Sequence, residues 1–216
     1  AIDWCVAHVN DTPGAPIKVI SMSLGGGEYP AACDGSNFAY FLAASAAKAA
    51  GITLFASSGN DGYCGSIAAP ACVSEIISVG ALFDDDIGGW GFCVSSSSCA
   101  AKEEYSGCST GWISWAYTTA ADQVTPYSNM APILDVLAPS HFASTPSPGT
   151  GYDTDFGGTS AACPYAAGTA AGMQSAMKTA HGIFIDPDDL RARMVAAGKH
   201  RHRQDCGFSG DHFFPI

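Results

Sequence analysis

Short apolar runs closed by glycine or proline alternate along this chain with longer stretches of helical spacing. That rhythm predicts a parallel sheet covered by helices. Lys18-Val19-Ile20-Ser21-Met22-Ser23 reads as a strand that runs into Leu24-Gly25-Gly26-Gly27. Residues 37–50 read as an alanine-rich helix, with Ser36 as its cap, Phe38, Phe41, Leu42 and Ala46 along one side, and Gly51 as a left-handed stop. Ile52-Thr53-Leu54-Phe55-Ala56-Ser57 is a buried-type strand ending at Gly59-Asn60, and 76–80 and 134–138 are two further short apolar strands. From Thr159 to Ala180 the residues are small and apolar, which predicts a helix packed tightly on its neighbours. A last helix starts at Asp186-Pro187-Asp188-Asp189, where a side-chain cap, a first-turn proline and two acids near the positive helix end agree, and it runs to Ala197.

Residues 82–126 break the rhythm. They carry Asp84-Asp85-Asp86, a run from Ser95 to Ser98, and Trp90, Trp112 and Trp115, and they read as an excursion from one domain spanning 1–216. The three consecutive aspartates do not have the spacing of an EF-hand loop and read as a solvated acidic turn.

Composition narrows the function. The 216 residues are 47% hydrophobic and 13% charged, enough for a sizeable core. Net charge is −11, and residues 1–190 hold 18 acids against 4 bases, which argues against a nucleic-acid surface. Five of the nine basic residues lie between Arg191 and Arg203 and read as a solvated or acid-paired surface. Asp, Gly, Ser or Lys interrupts every apolar stretch, so no membrane span is expected. Nine cysteines without a C-x-x-C pair favour oxidised pairs and a secreted, extracellular setting. Cys64 with Cys72 and Cys93 with Cys99 would close short loops, and Cys5 with Cys33 a longer one. The odd total leaves a thiol free, and Cys163 reads as a small buried residue.

Three segments carry candidate chemistry. Phe156-Gly157-Gly158-Thr159-Ser160-Ala161-Ala162-Cys163-Pro164 delivers a serine to the first turn of a helix, where unpaired N–H groups and the positive dipole end favour an alkoxide-like transition state. By itself such a serine serves as an N-cap more often than as a nucleophile. Ala56-Ser57-Ser58-Gly59-Asn60-Asp61-Gly62 ends a buried strand on an asparagine amide that can donate to an oxyanion. Met22-Ser23-Leu24-Gly25-Gly26 is a strand edge to which an extended peptide could add.

In this order, the three segments resemble the subtilisin-like serine proteases, the subtilases, from about Ala1 to Phe208 outside the excursion. The resemblance implies an α/β fold, three-layer α/β/α with a mainly parallel sheet. It implies Ser160 as nucleophile, Asn60 as oxyanion donor beside the Ser160 backbone N–H, and Ser23, Leu24, Gly25, Ser57, Ser58 and Gly59 as walls of the pocket for the residue before the scissile bond. Pro164 fits the family's proline, while Tyr165 stands where a histidine is common. Asp135 resembles a family position near a weak cation site. No cofactor is required; calcium is left open with no metal site assigned.

The family's aspartate and histidine come from segments N-terminal to the part that Ala1 matches. None of the six histidines, His8, His141, His181, His200, His202 and His212, has the His-Gly-Thr context. The expected partners are therefore a peptide or protein substrate and the N-terminal part of the same protease domain, whose strands would otherwise be missing from the middle of the sheet. Asp61 beside the pocket could favour basic substrate residues or be a solvated rim acid. A catalytically inactive, subtilase-like module that binds peptide is the alternative reading. The sedolisin branch, which uses carboxylates, is disfavoured by Asn60.

Overall fold

The computed structural model describes residues 1–149 and 151–199. In chain order the elements are α1 (Ile2–Ala7), β1 (Val19–Met22), β2 (Gly26–Tyr29), α2 (Phe38–Ala49), β3 (Thr53–Ser57), β4 (Ile67–Ala69) and β5 (Ile77–Leu82). There follow β6 (Trp90–Cys93), β7 (Glu103–Glu104), β8 (Trp112–Ala116), β9 (Val136–Pro139), β10 (Ala143–Pro146), β11 (Tyr152–Phe156), α3 (Thr159–His181) and α4 (Pro187–Ala197). Of the tail expected to be basic, residues 200–203 lie outside the described residues, as do Cys206, Phe208 and the histidines at 200, 202 and 212.

The central sheet has the order β1-β3-β5-β9, and its three pairings are all parallel. β3 and β5 are buried at every position, as expected where both faces of a parallel strand are covered. Alternation sorts their side chains: Leu54 and Ala56 join a core with Ala44 and Ala47 of α2. Phe55, Ile77 and Val79 join a second core with Ala162, Cys163, Ala166 and Ala170 of α3. The result is the expected α/β/α arrangement. The four strands are contiguous, and β1 lies at one end of the strand order with no strand beyond it among the described residues.

Two local expectations are corrected. Ser36 does not cap α2, because its hydroxyl donates to the Cys33 carbonyl and Asn37 is the cap residue. The expected apolar side of that helix is split: Phe41 packs against the core, but Phe38 and Leu42 are 57% and 53% exposed, whereas Ala44 and Ala47 are buried. Small residues bring α2 close to the sheet, and Phe38 and Leu42 are left over. α4 begins as expected, with the Asp186 carboxylate accepting from the Asp188 N–H at 2.9 Å.

The cysteine pairing differs throughout. The bonds are Cys33–Cys72, Cys64–Cys99 and Cys93–Cys108, while Cys5 and Cys163 are free thiols. Strand geometry is the reason. β6 pairs antiparallel with β8, and β7 lies on the other edge of β8, so the turn holding Cys108 returns to Cys93 at the end of β6. Cys33 meets Cys72 where the Cys33 N–H donates to the Cys72 carbonyl. Residues 82–126 leave the sheet at Leu82 and return at Val124 across an antiparallel bridge, and the excursion folds as the β6-β8-β7 sheet. Asp84, Asp85 and Asp86 are exposed, and among the described residues no group of three or more His, Cys, Asp or Glu side chains is placed to hold a metal ion.

Candidate active site

Ser160 is the second residue of α3, entered through Gly158 at φ +78°. That turn is reserved for glycine twice over, because the dihedral is left-handed and a Cβ would come 3.1 Å from Asn60 Nδ2. The first turn of the helix uses its N–H groups selectively. The Thr159 N–H donates to Asn60 Oδ1 at 2.9 Å, and the Ala161 N–H to the Gly158 carbonyl. The Ser160 N–H has no protein acceptor among the described residues and stands at the positive end of a 23-residue helix.

Asn60 closes the strand-end loop after β3. Its Oδ1 takes both the N–H and the hydroxyl of Thr159, the latter at 2.8 Å, which fixes the carboxamide plane and leaves Nδ2 as the donor end. Asn60 itself is exposed. Asn60 Nδ2 thus stands at the Gly158 turn, 3.1 Å from where a Cβ on Gly158 would be, and the half-buried serine follows two residues on.

The third segment reaches the same turn. Ser23 Oγ donates to the Ser160 carbonyl at 2.7 Å, and Ser57 Oγ donates to the Leu24 carbonyl at 3.4 Å, so 23–25 and 57–59 lie side by side. Ser23, Leu24 and Gly25 are exposed, but Ser57 and Ser58 are 3% and 0% exposed. Of that second wall only Gly59 reaches the surface, because β3 is covered on both faces up to its end.

The remaining sequence leads settle differently. Asp61 is half-buried, and its carboxylate accepts from Asn129 Nδ2 at 3.0 Å. Asp135 is engaged by the guanidinium of Arg191, which donates from Nε to one oxygen and from a terminal nitrogen to the other, while the Ser78 N–H and hydroxyl also donate to it. A protein cation therefore stands on the carboxylate that resembled a weak cation position. Cys163 is buried, as expected, and burial pushes its thiol above the usual range.

Of the described histidines, His8 follows α1 and His181 ends α3, far along the helix from Ser160. His141 lies under the serine turn, with Cδ2 3.9 Å from where a Cβ on Gly157 would be. Its ring is caged by Phe83, Phe92, Tyr127 and Phe142, and its Nδ1 faces Ser140 Oγ at 3.0 Å and Tyr127 OH at 3.4 Å. Among the described residues no histidine is hydrogen-bonded to Ser160.

Sequence reading missed Thr159 as the clamp for Asn60, and Asn129 as the support of the Asn60 loop. Thr159 adjoins the serine and could have been singled out. Asn129 lies in an unpatterned loop and carries no local signal.

The family model described as the subtilase family, peptidase S8, matches residues 1–209. Subtilisin-like protease 1 of Arthroderma gypseum is 29% identical over 86% of this chain, and that of Trichophyton tonsurans 28% identical over 86%. The chain spans only 29% and 28% of the lengths of these relatives. The solved prenylagaramide maturation protease PagA superposes with a TM-score of 0.63 at 21% identity, covering 93% of this chain and 57% of PagA. The self-cleaved protease domain of PatA gives 0.61 at 23% identity, covering 92% and 58%.

Proposed function

The chain belongs to the subtilase family, and on that premise we propose that it carries the nucleophile and oxyanion side of a serine endopeptidase whose aspartate and histidine come from an N-terminal part of the same domain. Ser160 Oγ attacks the scissile carbonyl carbon as its proton passes to the histidine. The carbonyl oxygen becomes an oxyanion held by Asn60 Nδ2 and the Ser160 N–H, the histidine passes the proton to the leaving amine as the C–N bond breaks, and water, deprotonated by the histidine, hydrolyses the acyl-enzyme and restores the serine hydroxyl. The observation that carries the reading is the Asn60–Thr159 clamp, which engages the acceptor end of the amide on the helix and leaves the donor end toward the Gly158 turn that precedes the serine. The chemistry runs on side chains and backbone N–H groups and calls for no cofactor.

An N-terminal partner is supported by what the chain leaves open. The outer edge of β1 has no strand beside it among the described residues. A groove of about 540 Å³, lined by Ile2, Ile20, Met22, Leu24 and Tyr40 among others, runs along that edge. Trp4, Phe38 and Leu42 add exposed apolar surface on α1 and α2. A peptide substrate would lie extended against Ser23, Leu24 and Gly25, bonded through its backbone. Three disulfides support an extracellular setting.

The test is labelling by a fluorophosphonate probe, with and without the N-terminal part. Labelling is expected only after the part is added, and Ser160→Ala should abolish it. Asn60→Ala should slow peptide hydrolysis roughly 10²- to 10³-fold, the magnitude measured for oxyanion donors in serine proteases. A complemented domain that binds peptide yet never labels at Ser160 would favour the inactive peptide-binding module instead.

A further inference from the structure

We infer that Asn129 is a positioning residue for the oxyanion donor Asn60, an inference that rests on the role of Asn60 proposed above. Asn129 is fully buried, in the segment that leads from the excursion back to β9. Its carboxamide sits inside the loop that presents Asn60. Oδ1 accepts the N–H groups of Asp61 at 3.0 Å and Tyr63 at 3.1 Å, and Nδ2 donates to the Asp61 carboxylate at 3.0 Å. The Asn129 backbone N–H donates to the Gly59 carbonyl at 3.0 Å. Three of the four bonds land on Gly59 and Asp61, which flank Asn60, the fourth on Tyr63, and none touches Asn60 itself.

The loop cannot supply these partners internally. Gly59 and Gly62 have φ of +105° and +74°, so the chain coils around the amide instead of pairing with itself. The neighbours of Asn129 extend the same support: the Gly62 N–H donates to the Tyr127 carbonyl at 2.7 Å, and the Met130 N–H to the Tyr63 carbonyl at 2.8 Å. One planar group must accept two N–H groups at one end and donate to a carboxylate at the other, and among side chains of this size only asparagine does both. Gly59 completes the fit, since a Cβ there would lie 2.3 Å from Asn129 Nδ2. The backbone of Asn60 is held from this side and its side chain by Thr159. An oxyanion donor displaced by about 1 Å can cost on the order of 10² in rate, so the buried amide acts on catalysis through geometry without contacting substrate.

The test uses the protease carrying its N-terminal part. Asn129→Asp sets two carboxylates against each other at the Asp61 contact and should lower kcat by roughly ten- to a hundredfold, with KM changed less than about twofold. The exchange Asn129→Asp with Asp61→Asn restores an amide–carboxylate pair while residue 129 still accepts both N–H groups, and should return most of the lost kcat. Added to Asn60→Ala, Asn129→Asp should cost nothing further, because the donor it positions is gone. Asn129→Ser serves in the same double-variant comparison if the aspartate variant does not fold. Losses that multiply in the double variant, or a normal kcat in Asn129→Asp while Asn60→Ala is impaired, would overturn the inference alone. A normal kcat in Asn60→Ala would overturn the oxyanion reading, and this inference with it.

Discussion

The glycines of the oxyanion side and those in the middle of α3 have opposite surroundings. Gly59 and Gly158 have left-handed dihedrals, and a Cβ on either would run into an asparagine amide at 2.3 or 3.1 Å. The structure itself requires them. Gly168 and Gly172 are exposed in the middle of α3, with ordinary dihedrals and nothing within 4 Å of a Cβ position. Each costs its helix about 1 kcal/mol relative to alanine, and no contact among the described residues repays that. These two glycines leave open space on the outer face of α3. Exposed Phe38 and Leu42 lie on α2, across the sheet from α3, and the outer edge of β1 carries no strand among the described residues. The Asn60 loop is closed by its own hydrogen bonds, while the outer faces of α3 and, across the sheet, α2 are open among the described residues.

The largest effect should come from filling the outer face of α3. Gly168→Leu with Gly172→Leu is expected to leave this chain as stable as before, or more stable by about 0.5–1 kcal/mol per site, in thermal unfolding. The same pair should weaken association with an N-terminal part that packs on this face: overpacking costs about 1–3 kcal/mol per site, roughly thirtyfold or more in affinity for the two. Probe labelling of Ser160 at fixed partner concentration reads the loss. Undiminished labelling would show that the N-terminal part docks elsewhere.

A single methyl group tests the other side. Gly59→Ala forces a non-glycine residue to φ +105° against Asn129, and should lower stability by roughly 1–3 kcal/mol in denaturant unfolding. Hydrolysis by the complemented enzyme should fall as Asn60 shifts. Gly168→Ala is the control and should move stability in the opposite direction. Equal responses at the two positions would erase the contrast between the two sides.

The sequence made the parallel strands, α3 and α4 legible because both faces of β3 and β5 are buried and the caps and glycine stops are local signals. The Ser160 and Asn60 segments were legible for the same reason: each is a break immediately after a strand or before a helix. The rest depended on partners distant in sequence. Phe38, Phe41, Leu42 and Ala46 looked like one core face, yet only Phe41 of them packs on the core and the sheet accepted Ala44 and Ala47. Cysteine spacing suggested small rings, but strand pairing in the excursion carried Cys93 to Cys108 and brought Cys99 to Cys64. Asn129 reaches Asp61 across 68 positions, a separation at which composition and periodicity carry no information.

The smallest expected effect lies beneath the finished side, at His141. Burial among Phe83, Phe92, Tyr127 and Phe142 lowers its pKa below the usual histidine value, and Asp84 opposes that only in part. Tyr127, which faces the ring, is pushed up to about 12 chiefly by its own burial and stays neutral. A histidine whose folded pKa is depressed binds its proton more readily when unfolded. Stability is therefore complete above the unfolded value of about 6.5 and declines as pH falls from there toward the folded pKa, by at most about 1.4 kcal/mol per pH unit. His141→Phe keeps an aromatic ring in the cage and removes the titration, so its unfolding free energy should change less between pH 7.5 and 5.5 than that of the parent. Because the cage lies against Gly157, the acid-induced loosening should act on the serine turn and not on the outer face of α3. Hydrogen exchange at the two ends of that helix measures where it acts, and equal changes at both ends would place the loosening in the whole domain.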